Sequence, residues 1–521
     1  MATVNQDKPA RKRVRRLYII GAGFSGRTLA NEIRTKSVFG KVVAFLDDDV
    51  SLIGKLVDGI PVLGPIRDVA KLLRRKSADE AIIAMPGVSG EYLKELYDIL
   101  KAAGFERIRI LPGISQIVDG EAHLIQTRSL DPQDLLERTP VAINLKESLT
   151  YLRGKRVLVT GAGGSIGSEL CRQLLSGGVE RLYLFGHGEN SIYQIDHELR
   201  ILRDEGVGEK TSLVPVIGEL KDPQYIDFIL GRLKADAIFH TAAYKHVPLM
   251  EENPVAAIEN NFFGTLNLVR AAQKHGVKRF VLISTDKAVE PSSVYGASKQ
   301  LCEWIVLNAA QGGGASALAL NESDPKGLQS SNVPNFMVVR FGNVLGSRGS
   351  IVPLFQKQIE KGGPVTITHP DMKRWFMTIP EACSLVLKAG GVGENGTLYL
   401  LDMGKPVRIR DMAEQMIRFN GFEPDVDIKI ETIGLRPGEK IDERLWGSDE
   451  TPVNTEFDNI QRIESARPDK PRSVYELLAT ITEKLTPICI FDPQKPEHYR
   501  SATLTRKILR EYCPALVDFE A

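Results

Sequence analysis

Cysteine-rich patterns, long apolar runs and an excess of charge of either sign are all missing from this chain of 521 residues. Its five cysteines are scattered and never take a C-x-x-C spacing, so we expect neither a disulfide framework nor a metal site. Such cysteines fit a reducing compartment. No stretch reaches the roughly 18 uninterrupted apolar residues of a membrane span. The N-terminus also lacks the apolar core of a signal peptide. We therefore predict a cytoplasmic protein with no transmembrane segment.

The charge is nearly balanced. The chain has 67 basic and 66 acidic residues, a formal net charge of +1, which gives no indication of a nucleic-acid partner. One local excess of basic residues precedes the first apolar run and consists of Lys8, Arg11, Lys12, Arg13, Arg15 and Arg16. We favour a solvated tail for residues 1–16, and a weak contact with anionic lipid headgroups stays open as the alternative.

Two glycine-rich turns between a strand and a helix organise the chain. Residues 17–20 are followed by Gly21-Ala22-Gly23-Phe24-Ser25-Gly26, and residues 156–160 by Gly161-Ala162-Gly163-Gly164-Ser165-Ile166-Gly167. A β-rich run, a glycine loop and a helical pattern in alternation are typical of parallel sheets built from βαβ units. We predict an α/β chain with two Rossmann-like, doubly wound parallel-sheet domains.

Further apolar runs extend both domains. In the first we predict strands at 42–46, 81–85 and 108–111 and a helix around 66–75; in the second, strands at 181–185, 212–216, 237–240, 280–284 and 336–340. The predicted domains are a nucleotide-fold domain at 17–140, a connector at 141–154 and a catalytic domain at 155–460, with its substrate lobe mainly at 341–460. The Gly/Ser/Asn-rich stretch between Gln311 and Asn335 is predicted as a surface loop or insertion. Residues 461–521 form a C-terminal extension to which the sequence assigns no role.

The second glycine loop has the pattern T-G-x-x-G-x-x-G, which resembles that of short-chain dehydrogenases. Such a loop lets the backbone approach a pyrophosphate, and the N-terminus of the following helix supplies N–H groups. The acid that binds the ribose is expected about 20 residues further on, where Glu189 stands close to His187. We predict NAD or NADP as the cofactor, and the choice between them stays open.

A tyrosine and a lysine four residues apart, Tyr295 and Lys299, would lie on one face of a helix. An ammonium close to a phenol favours the phenolate, so we expect the pKa of Tyr295 to lie below its usual value of about 10. Some ten residues earlier, an apolar run delivers Ser284-Thr285-Asp286-Lys287 to the C-terminal end of a strand, where open α/β sheets bind ligands. Such a tyrosine can take a proton from a sugar hydroxyl while hydride leaves the same carbon.

These residues resemble the extended short-chain dehydrogenase/reductases and, more closely, the UDP-N-acetylglucosamine 4,6-dehydratases of capsule and O-antigen polysaccharide biosynthesis. The resemblance covers about residues 155–450. It extends to H-T-A-A-Y-K-H-V-P-L-M-E from His240, Asn260-Asn261, Gly264-Thr265, R-F-G-N-V-L-G-S-R-G-S from Arg340, F-M-T-I-P-E-A from Phe376 and R-P-G-E-K from Arg436. The first domain likewise resembles the nucleotide-fold domain that precedes the catalytic domain in this family.

The resemblance implies a tightly bound NAD or NADP that is regenerated in each turnover. The residues it assigns to cofactor binding are Thr160, Gly161, Gly164, Ser165, Ile166, Gly167, Glu189, Glu219, Ala242, Ala243, Asn261, Tyr295 and Lys299. Glu219 stands where an aspartate is more usual. For the UDP-sugar the resemblance implies Lys245, His246, Asn343, Gly349, Ser350, Arg436 and Lys440, of which the last two would offer charge to the pyrophosphate. A purely structural role for His246 stays open.

The resemblance also implies roles in the reaction. Tyr295, supported by Lys299, would take the proton of the 4-hydroxyl, which Thr285 would hydrogen-bond, as hydride passes from C4 to the nicotinamide. The new ketone acidifies the proton on C5; Lys287 would be the base that removes it, and Asp286 the acid that protonates the departing 6-hydroxyl. Lys287 must be neutral for this, which a neighbouring buried cation or desolvation would allow.

The chain departs from its relatives in two respects. Many relatives carry transmembrane helices before the first nucleotide-fold domain, whereas this chain begins with its basic tail. Some relatives have methionine in place of Tyr295. Relatives often pair through the helix that carries the tyrosine and lysine, so a homo-oligomer is expected.

The first glycine loop has the acids of a dinucleotide site but no catalytic residues beside it. Asp47, Asp48 and Asp49 follow Gly26 by about 20 residues, as such a site requires. Two interpretations stay open: a regulatory module that binds a nucleotide or acyl-carrier ligand, or a packing scaffold without a ligand.

Three functions remain in competition, of which we favour the dehydratase. A UDP-sugar C4 epimerase would share Tyr295, Lys299 and the hydroxyl of Thr285 but would need no acid and base at 286 and 287. A non-catalytic protein that senses a nucleotide is the third, and the intact tyrosine–lysine pair argues against it. Retention or inversion at C5 and the identity of the sugar nucleotide stay open.

Overall fold

The computed structural model describes residues 16–36, 41–73, 78–85, 88, 90–110, 148–311, 334–420, 422–465 and 471–516. Most of the basic tail, the first seven residues of the predicted connector and the predicted loop at 312–333 lie outside these ranges. The chain divides into two compact units, one of Met1–Thr139, Phe355–Val365 and Asp411–Glu431, and one of Pro140–Leu354, Thr366–Arg410 and Thr432–Ala521. Within the described ranges, no helix is long and apolar enough to span a bilayer.

The first unit is built on a six-stranded sheet. Its strands are β1 (Arg16–Ile20), β2 (Lys41–Leu46), β3 (Leu56–Val57), β4 (Ile60–Leu63), β5 (Ala78–Ile83) and β6 (Phe105–Ile110), and its N-terminal helices are α1 (Phe24–Lys36), α2 (Val69–Leu72) and α3 (Gly90–Ala102). The strand order is β3-β4-β2-β1-β5-β6, parallel except for the antiparallel pair β3 and β4. The short β3–β4 hairpin was not predicted, because runs of two and four residues are too short to show a periodic pattern.

Strand β1 has the burial pattern of a central strand in a parallel sheet. Leu17 and Ile19 pack into one apolar cluster, and Tyr18 and Ile20 pack into another, so both faces of the strand are buried. A strand buried on both faces is a continuous apolar run, which is typical of parallel sheets with helices on each side. Of the helix predicted around 66–75, the described residues form a 3-10 turn at Ile66–Asp68 followed by the four-residue α2; residues 74 and 75 lie outside the described ranges.

The second unit is built on a nine-stranded sheet. The strands are β7 (Arg156–Thr160), β8 (Arg181–Gly186), β9 (Ser212–Ile217), β10 (Ala237–His240), β11 (Arg279–Thr285), β12 (Asn335–Phe341), β17 (Thr397–Leu401), β20 (Glu450–Asn454) and β21 (Ile460–Ser465). Short strands outside this sheet are β13 (Asn343–Val344), β14 (Val365–Ile367), β15 (Lys373–Arg374), β16 (Phe376–Met377), β18 (Val407–Arg408) and β19 (Ile430–Thr432).

Twelve α-helices are described from Ser165 onward. They are α4 (Ser165–Ser176), α5 (Glu189–Asp204), α6 (Pro223–Leu233), α7 (Val247–Glu252), α8 (Pro254–Ala257), α9 (Gly264–Lys274), α10 (Val294–Ala310), α11 (Ile351–Glu360), α12 (Ile379–Val392), α13 (Ile409–Phe419), α14 (Pro471–Cys489) and α15 (Ala502–Tyr512). A π-helical turn at Ile258–Phe263 joins α8 to α9. Two of these helices extend into residues grouped with the first unit: α11 from Phe355 onward and α13 from Asp411 onward.

The order of the second sheet, β20-β21-β17-β12-β11-β10-β7-β8-β9, is that of a doubly wound fold. Strands β7 to β12 and β17 run parallel, and β20 and β21 add an antiparallel hairpin at one edge. The chain order reverses between β7 and β10, which places a ligand crevice beyond the carboxyl ends of these two strands. The two predicted Rossmann-like sheets are confirmed, and the hairpin is the departure from a purely parallel arrangement.

Two helices of the C-terminal extension, α14 and α15, complete the core of the second unit. Leu478, Ile481 and Leu485 of α14 are fully buried and join the same apolar cluster as α10. Nearly every residue of α10 is buried as a result. The C-terminal helices of the chain itself therefore pack against α10, and the expected homo-oligomer stays a prediction.

Candidate active site

The second glycine loop lies at the point where the strand order reverses. Gly161, directly after β7, has φ of +69°, and a Cβ there would stand 2.8 Å from the backbone of Ala242 after β10. A Cβ on Gly167 in the first turn of α4 would stand 2.2 Å from the carbonyl oxygen of Gly161. Only glycine fits at these two positions. The loop and the N-terminus of α4, which begins at Ser165, form a cradle that fits a dinucleotide pyrophosphate.

A neutral histidine ties together the elements behind this loop. The ring of His240, at the end of β10, hydrogen-bonds Thr160 Oγ1 through Nδ1 at 2.7 Å and Thr265 Oγ1 of α9 through Nε2 at 2.9 Å. Burial, reinforced by the charge of Lys299, lowers the pKa of His240 to about 3. Thr160 is therefore held in a structural bridge, fully buried at the start of the loop.

Five further residues assigned to the cofactor lie in different environments. Ile166 and Ala243 line the cavity described below. Glu189 is exposed in the first turn of α5, and Ser191 of that turn packs against Gly163 of the loop. Glu219 is exposed and pairs with Lys221 at 2.8 Å. Asn261 is buried, and its amide is bonded to both backbone atoms of Tyr244 and to Ser298 Oγ, so it braces the chain after β10 against α10.

The tyrosine, the lysine and the strand-end residues come together as the sequence indicates. Strand β11 ends at Thr285, and α10 begins at Val294, with Ser293 as its N-cap. A Cβ on Gly296 would stand 2.2 Å from the carbonyl oxygen of Lys287, so this glycine allows α10 to approach the turn that carries Asp286 and Lys287. Tyr295 and Lys299 then project from the first two turns of α10 toward the end of β11.

A chain of short contacts joins the acid and the base. Thr285 Oγ1 donates to Asp286 Oδ1 at 2.9 Å, and Lys287 Nζ donates to the same oxygen at 2.9 Å. Lys287 Nζ also donates to Asn343 Oδ1, from β13, at 3.1 Å. Asp286 is fully buried, whereas the side chain of Lys287 is about one-fifth exposed. The lysine is therefore held between two acceptors at the surface of the site.

The expected effect of Lys299 on Tyr295 is wrong. Burial raises the pKa of Tyr295 above its usual value; the hydrogen bond with Thr285 opposes this rise and Asp286 adds to it. Lys299 instead donates to the carbonyl oxygen of Ile283 at 2.8 Å, and burial lowers the pKa of Lys299. Desolvation of the phenol is the largest cause of the rise in the pKa of Tyr295.

A cavity of about 390 Å³ faces these side chains. Thr285, Lys287, Tyr295 and Lys299 line one wall, and the predicted substrate residues Lys245, His246, Asn343, Gly349, Ser350 and Arg436 line the rest. Asp286 does not line it and lies behind Thr285 and Lys287. A larger cavity, of about 1030 Å³, lies beside Trp304, Leu307 and Arg340 and contains none of the predicted site residues.

Two of the predicted substrate residues differ in how their charge is used. Arg436 is exposed at the edge of the cavity. Lys440 instead donates to the carbonyl oxygens of Val289 and Glu290, at 2.9 and 2.7 Å, and burial lowers its pKa. Lys440 therefore anchors the segment that follows Lys287, and it lines a separate small cavity rather than the main one.

Lys245 is a cation close to Lys287. Burial lowers the pKa of Lys245, and the charges of Lys287 and Arg348 lower it further. His246 packs its ring against Gly349 and also lines the cavity, with a pKa lowered by burial and by Lys245.

Three residues at the site were not predicted. Arg348 donates through Nη2 to the carbonyl oxygen of Gly163 at 2.7 Å, and its amide donates to Ser165 Oγ at 3.1 Å, so it joins the R-F-G-N stretch to the glycine loop. Arg374 holds the backbone of Lys440 and Ile441. Glu443 lies 4.0 Å from Lys287 Nζ. Arg348 could have been found inside its recognised stretch, whereas Arg374 and Glu443 reach the site only through long-range folding.

The acidic residues that follow the first glycine loop accept hydrogen bonds within the first unit. Asp47 accepts the amide of Ala22 at 2.5 Å, and Asp48 accepts the amide of Ile66 at 2.8 Å and the hydroxyl of Tyr92 at 3.2 Å. A Cβ on Gly26 would stand 1.9 Å from the carbonyl oxygen of Gly21, so α1 packs closely against β1, as in a dinucleotide fold. These contacts serve a scaffold as well as a ligand site, and both interpretations of the first unit stay open.

A family model described as "Polysaccharide biosynthesis protein" matches residues 157–465. The "Capsular polysaccharide biosynthesis protein CapD" of Staphylococcus aureus is 41% identical over 446 residues, which cover 85% of this chain and 70% of CapD. A "UDP-glucose 4-epimerase" of Rickettsia bellii (strain OSU 85-389) is 32% identical over 318 residues, 59% of this chain and 82% of the epimerase. A "UDP-N-acetylglucosamine 4,6-dehydratase (inverting)" of Campylobacter jejuni (serotype O:23/36, strain 81-176) is 29% identical over 311 residues, 60% of this chain and 83% of that enzyme.

Among solved structures, the X-ray structure of Pen from Bacillus thuringiensis is similar to this chain with a TM-score of 0.53 and 29% identity. The similarity covers 64% of this chain and all of Pen.

Proposed function

Because this chain belongs to the family of polysaccharide biosynthesis proteins, we propose that it is a nucleotide-sugar-modifying enzyme that dehydrates a UDP-N-acetylhexosamine to a 4-keto-6-deoxy sugar nucleotide. The favoured substrate is UDP-N-acetylglucosamine, which the Campylobacter jejuni relative names in its title. The nicotinamide of NAD or NADP, held by the glycine loop, would accept hydride from C4 and return it to C6.

The observation that carries this proposal is the pair Asp286 and Lys287. Lys287 Nζ lies 2.9 Å from Asp286 Oδ1. Lys287 lines the same cavity as Tyr295, and Asp286 lies directly behind this wall. A C4 epimerase needs only a group that moves the proton of the 4-hydroxyl. Elimination of water across C5 and C6 needs in addition a base for the C5 proton and an acid for the departing hydroxyl.

The residues of the chain would divide the reaction as follows. Tyr295 takes the proton of the 4-hydroxyl, and Thr285, in contact with Tyr295, orients that hydroxyl. Lys287 takes the proton from C5. Asp286 supplies the proton for the departing 6-hydroxyl through Thr285 or Lys287, since both contact Asp286 Oδ1 and both line the cavity.

The substrate would be held by the opposite walls of the cavity. Arg436 at its edge suits the pyrophosphate, because a guanidinium pairs with phosphate oxygens through two parallel hydrogen bonds. Asn343 and the Gly349-Ser350 turn would face the sugar and its nucleotide, and Lys245 would add positive charge near the phosphates. Arg348 would close the glycine loop over the cofactor.

Product analysis tests the proposal. Purified protein is incubated with UDP-N-acetylglucosamine in deuterated water without an added reductant, and the sugar is followed by NMR. A 4-keto-6-deoxy sugar with deuterium at C5 supports the dehydratase, and its C5 configuration shows retention or inversion. UDP-N-acetylgalactosamine without loss of water would instead establish the epimerase that the Rickettsia relative's title suggests.

The proposed setting is the cytoplasm, where the enzyme would act as a homo-oligomer in the synthesis of a surface polysaccharide. The surface that joins two copies would differ from α10, which α14 and α15 already cover. Sedimentation of the purified chain would measure the number of copies, and a monomer would contradict this part of the proposal.

A further inference from the structure

Two buried carboxyl groups face the ammonium of Lys287. Asp286 Oδ1 lies 2.9 Å from Lys287 Nζ, and Glu443 Oε1 lies 4.0 Å from it on another side. The side chains of Asp286 and Glu443 are 0% and 4% exposed. The mechanism above uses Asp286 and gives Glu443 no task.

The backbone of Glu443 is held firmly in this place. Its carbonyl oxygen accepts Trp375 Nε1 at 3.0 Å. The guanidinium of Arg374 donates to the carbonyl oxygens of Lys440 and Ile441, at 2.7 and 2.8 Å, just before Glu443. These hydrogen bonds fix the backbone at Glu443, and they therefore fix the position of its carboxylate next to Lys287.

Both carboxyl groups keep one oxygen unused. Asp286 Oδ2 and Glu443 Oε2 are buried and accept no hydrogen bond from any described residue. A cavity of about 100 Å³ lies beside Glu443 and is also lined by Lys287, Asn343 and Lys440. A buried carboxylate oxygen without a hydrogen-bond partner lowers the stability of the folded protein. Two such oxygens next to Lys287 therefore indicate a functional role.

We propose that Glu443 is a positioning residue for Lys287, which holds the amine toward C5 and stabilises the positive charge that develops on it. The inference rests on the proposed dehydration. In that step the C5–H bond breaks as the N–H bond on Lys287 forms, the C5–C6 double bond forms as the C6–O bond breaks, and the proton of Asp286 leaves with the hydroxyl as water.

The charges explain why a second carboxylate is needed. Before the step, Asp286 carries the proton it will give up and is neutral, so it attracts Lys287 weakly. As Lys287 gains its proton, Glu443 is the one carboxylate besides Asp286 within 4.0 Å of Nζ among the described residues, and it offers a negative charge until Asp286 has lost its proton. A charge placed in advance where the transition state needs it stabilises that state more than the bound substrate.

Glu443→Gln tests this inference, because glutamine keeps the shape and removes the charge. We expect exchange of the C5 proton with deuterated water, and formation of product, to slow by roughly 10²-fold, as for loss of one preorganised electrostatic group. Reduction of the bound nicotinamide by UDP-N-acetylglucosamine, read from its absorbance, should stay unchanged, and so should KM. Reduced cofactor should therefore accumulate. The matched control is Glu464→Gln, an exposed change that should leave every rate unchanged.

A merely structural role would slow both half-reactions alike, and that result overturns the inference, as does an unchanged rate of C5 exchange. If Glu443→Gln does not fold, Glu443→Asp takes its place: it keeps the charge but draws it back, so C5 exchange should slow while reduction of the nicotinamide does not. Failure of the proposed function is distinguishable, because the unchanged protein would then form no 4-keto-6-deoxy product.

Discussion

Lys287 and Asp286 are neighbours in the chain and are joined through their side chains, with Nζ 2.9 Å from Oδ1. This ion pair is the charge state that the site would have directly after elimination, with the base protonated and the acid ionised. Return of a proton from Lys287 to C5, as hydride reaches C6, would restore the neutral base. The proton that Tyr295 took from the 4-hydroxyl would restore the acid through Thr285, which contacts both Tyr295 and Asp286.

Replacing the two members of this pair should separate the steps of the reaction. In Lys287→Met, we expect C5 exchange and water loss to fall by roughly 10²–10⁴-fold, the usual worth of a general base. In Asp286→Asn, C5 exchange should persist while water loss falls. Both variants should still reduce the bound nicotinamide. NMR and the absorbance of the reduced cofactor measure these steps, and loss of C4 oxidation in both variants would contradict the assigned roles.

Gly161→Ala should abolish cofactor retention. A methyl group there would stand 2.8 Å from the backbone of Ala242, at the crossing of β7 and β10. Gly178→Ala is the matched control, because Gly178 has a similar φ of +74° but open space around its Cα. Both changes strain the backbone by about 1–2 kcal/mol, so only the clash separates them. Cofactor content after purification should fall in the first variant alone, and equal losses would show that the loop is not the binding site.

The bridge through His240 should give stability that depends on pH. Its pKa in the folded protein is about 3, below the usual 6.5. The neutral ring therefore contributes its full stabilisation above pH 6.5, and this contribution is lost as the pH falls toward 3. The melting temperature of the native protein should exceed that of His240→Gln at pH 7.5, and the difference should shrink at pH 5. A difference that stays constant over this range would contradict the neutral bridge.

Leu485→Ala should destabilise the second unit by about 2–5 kcal/mol, the range for a leucine removed from a packed core. Leu485 is fully buried in α14, where it joins the cluster that includes α10. Glu483→Ala, an exposed change in the same helix, is the control. Denaturant unfolding measures both variants. Equal midpoints would mean that the C-terminal extension is not part of the catalytic core.

Much of the fold could be predicted from the sequence. The strands of parallel sheets are buried on both faces, so each is an apolar run that stands out, as residues 156–160 and 279–285 do. The glycine loops could also be predicted, because a close approach of one backbone to another leaves no room for a side chain. Short strands such as β3 have too few residues to show a period. The strands β20 and β21 are long enough, but they are largely polar and only partly buried, so no apolar run marks them.

The site could be predicted only where its residues are close in the chain. Thr285 to Lys299 lie on one strand end and one helix, and their spacing indicates that they meet. Glu443 is more than 150 residues away from Lys287 and is brought to it by Arg374 and Trp375, which no local pattern encodes. The direction of the pKa shift of Tyr295 was also predicted wrongly, because it depends mainly on burial of the phenol, which the spacing to Lys299 does not reveal.

In the proposed reaction, hydride leaves C4 and returns to C6 within one active site. UDP-N-acetylglucosamine that carries deuterium at C4 tests this path, with purified enzyme in ordinary water and no added cofactor. We expect a 4-keto-6-deoxy product whose C6 methyl group carries the deuterium. Deuterium that remains at C4, in a sugar that has lost no water, would rule out this path and show that the hydride returns to its origin.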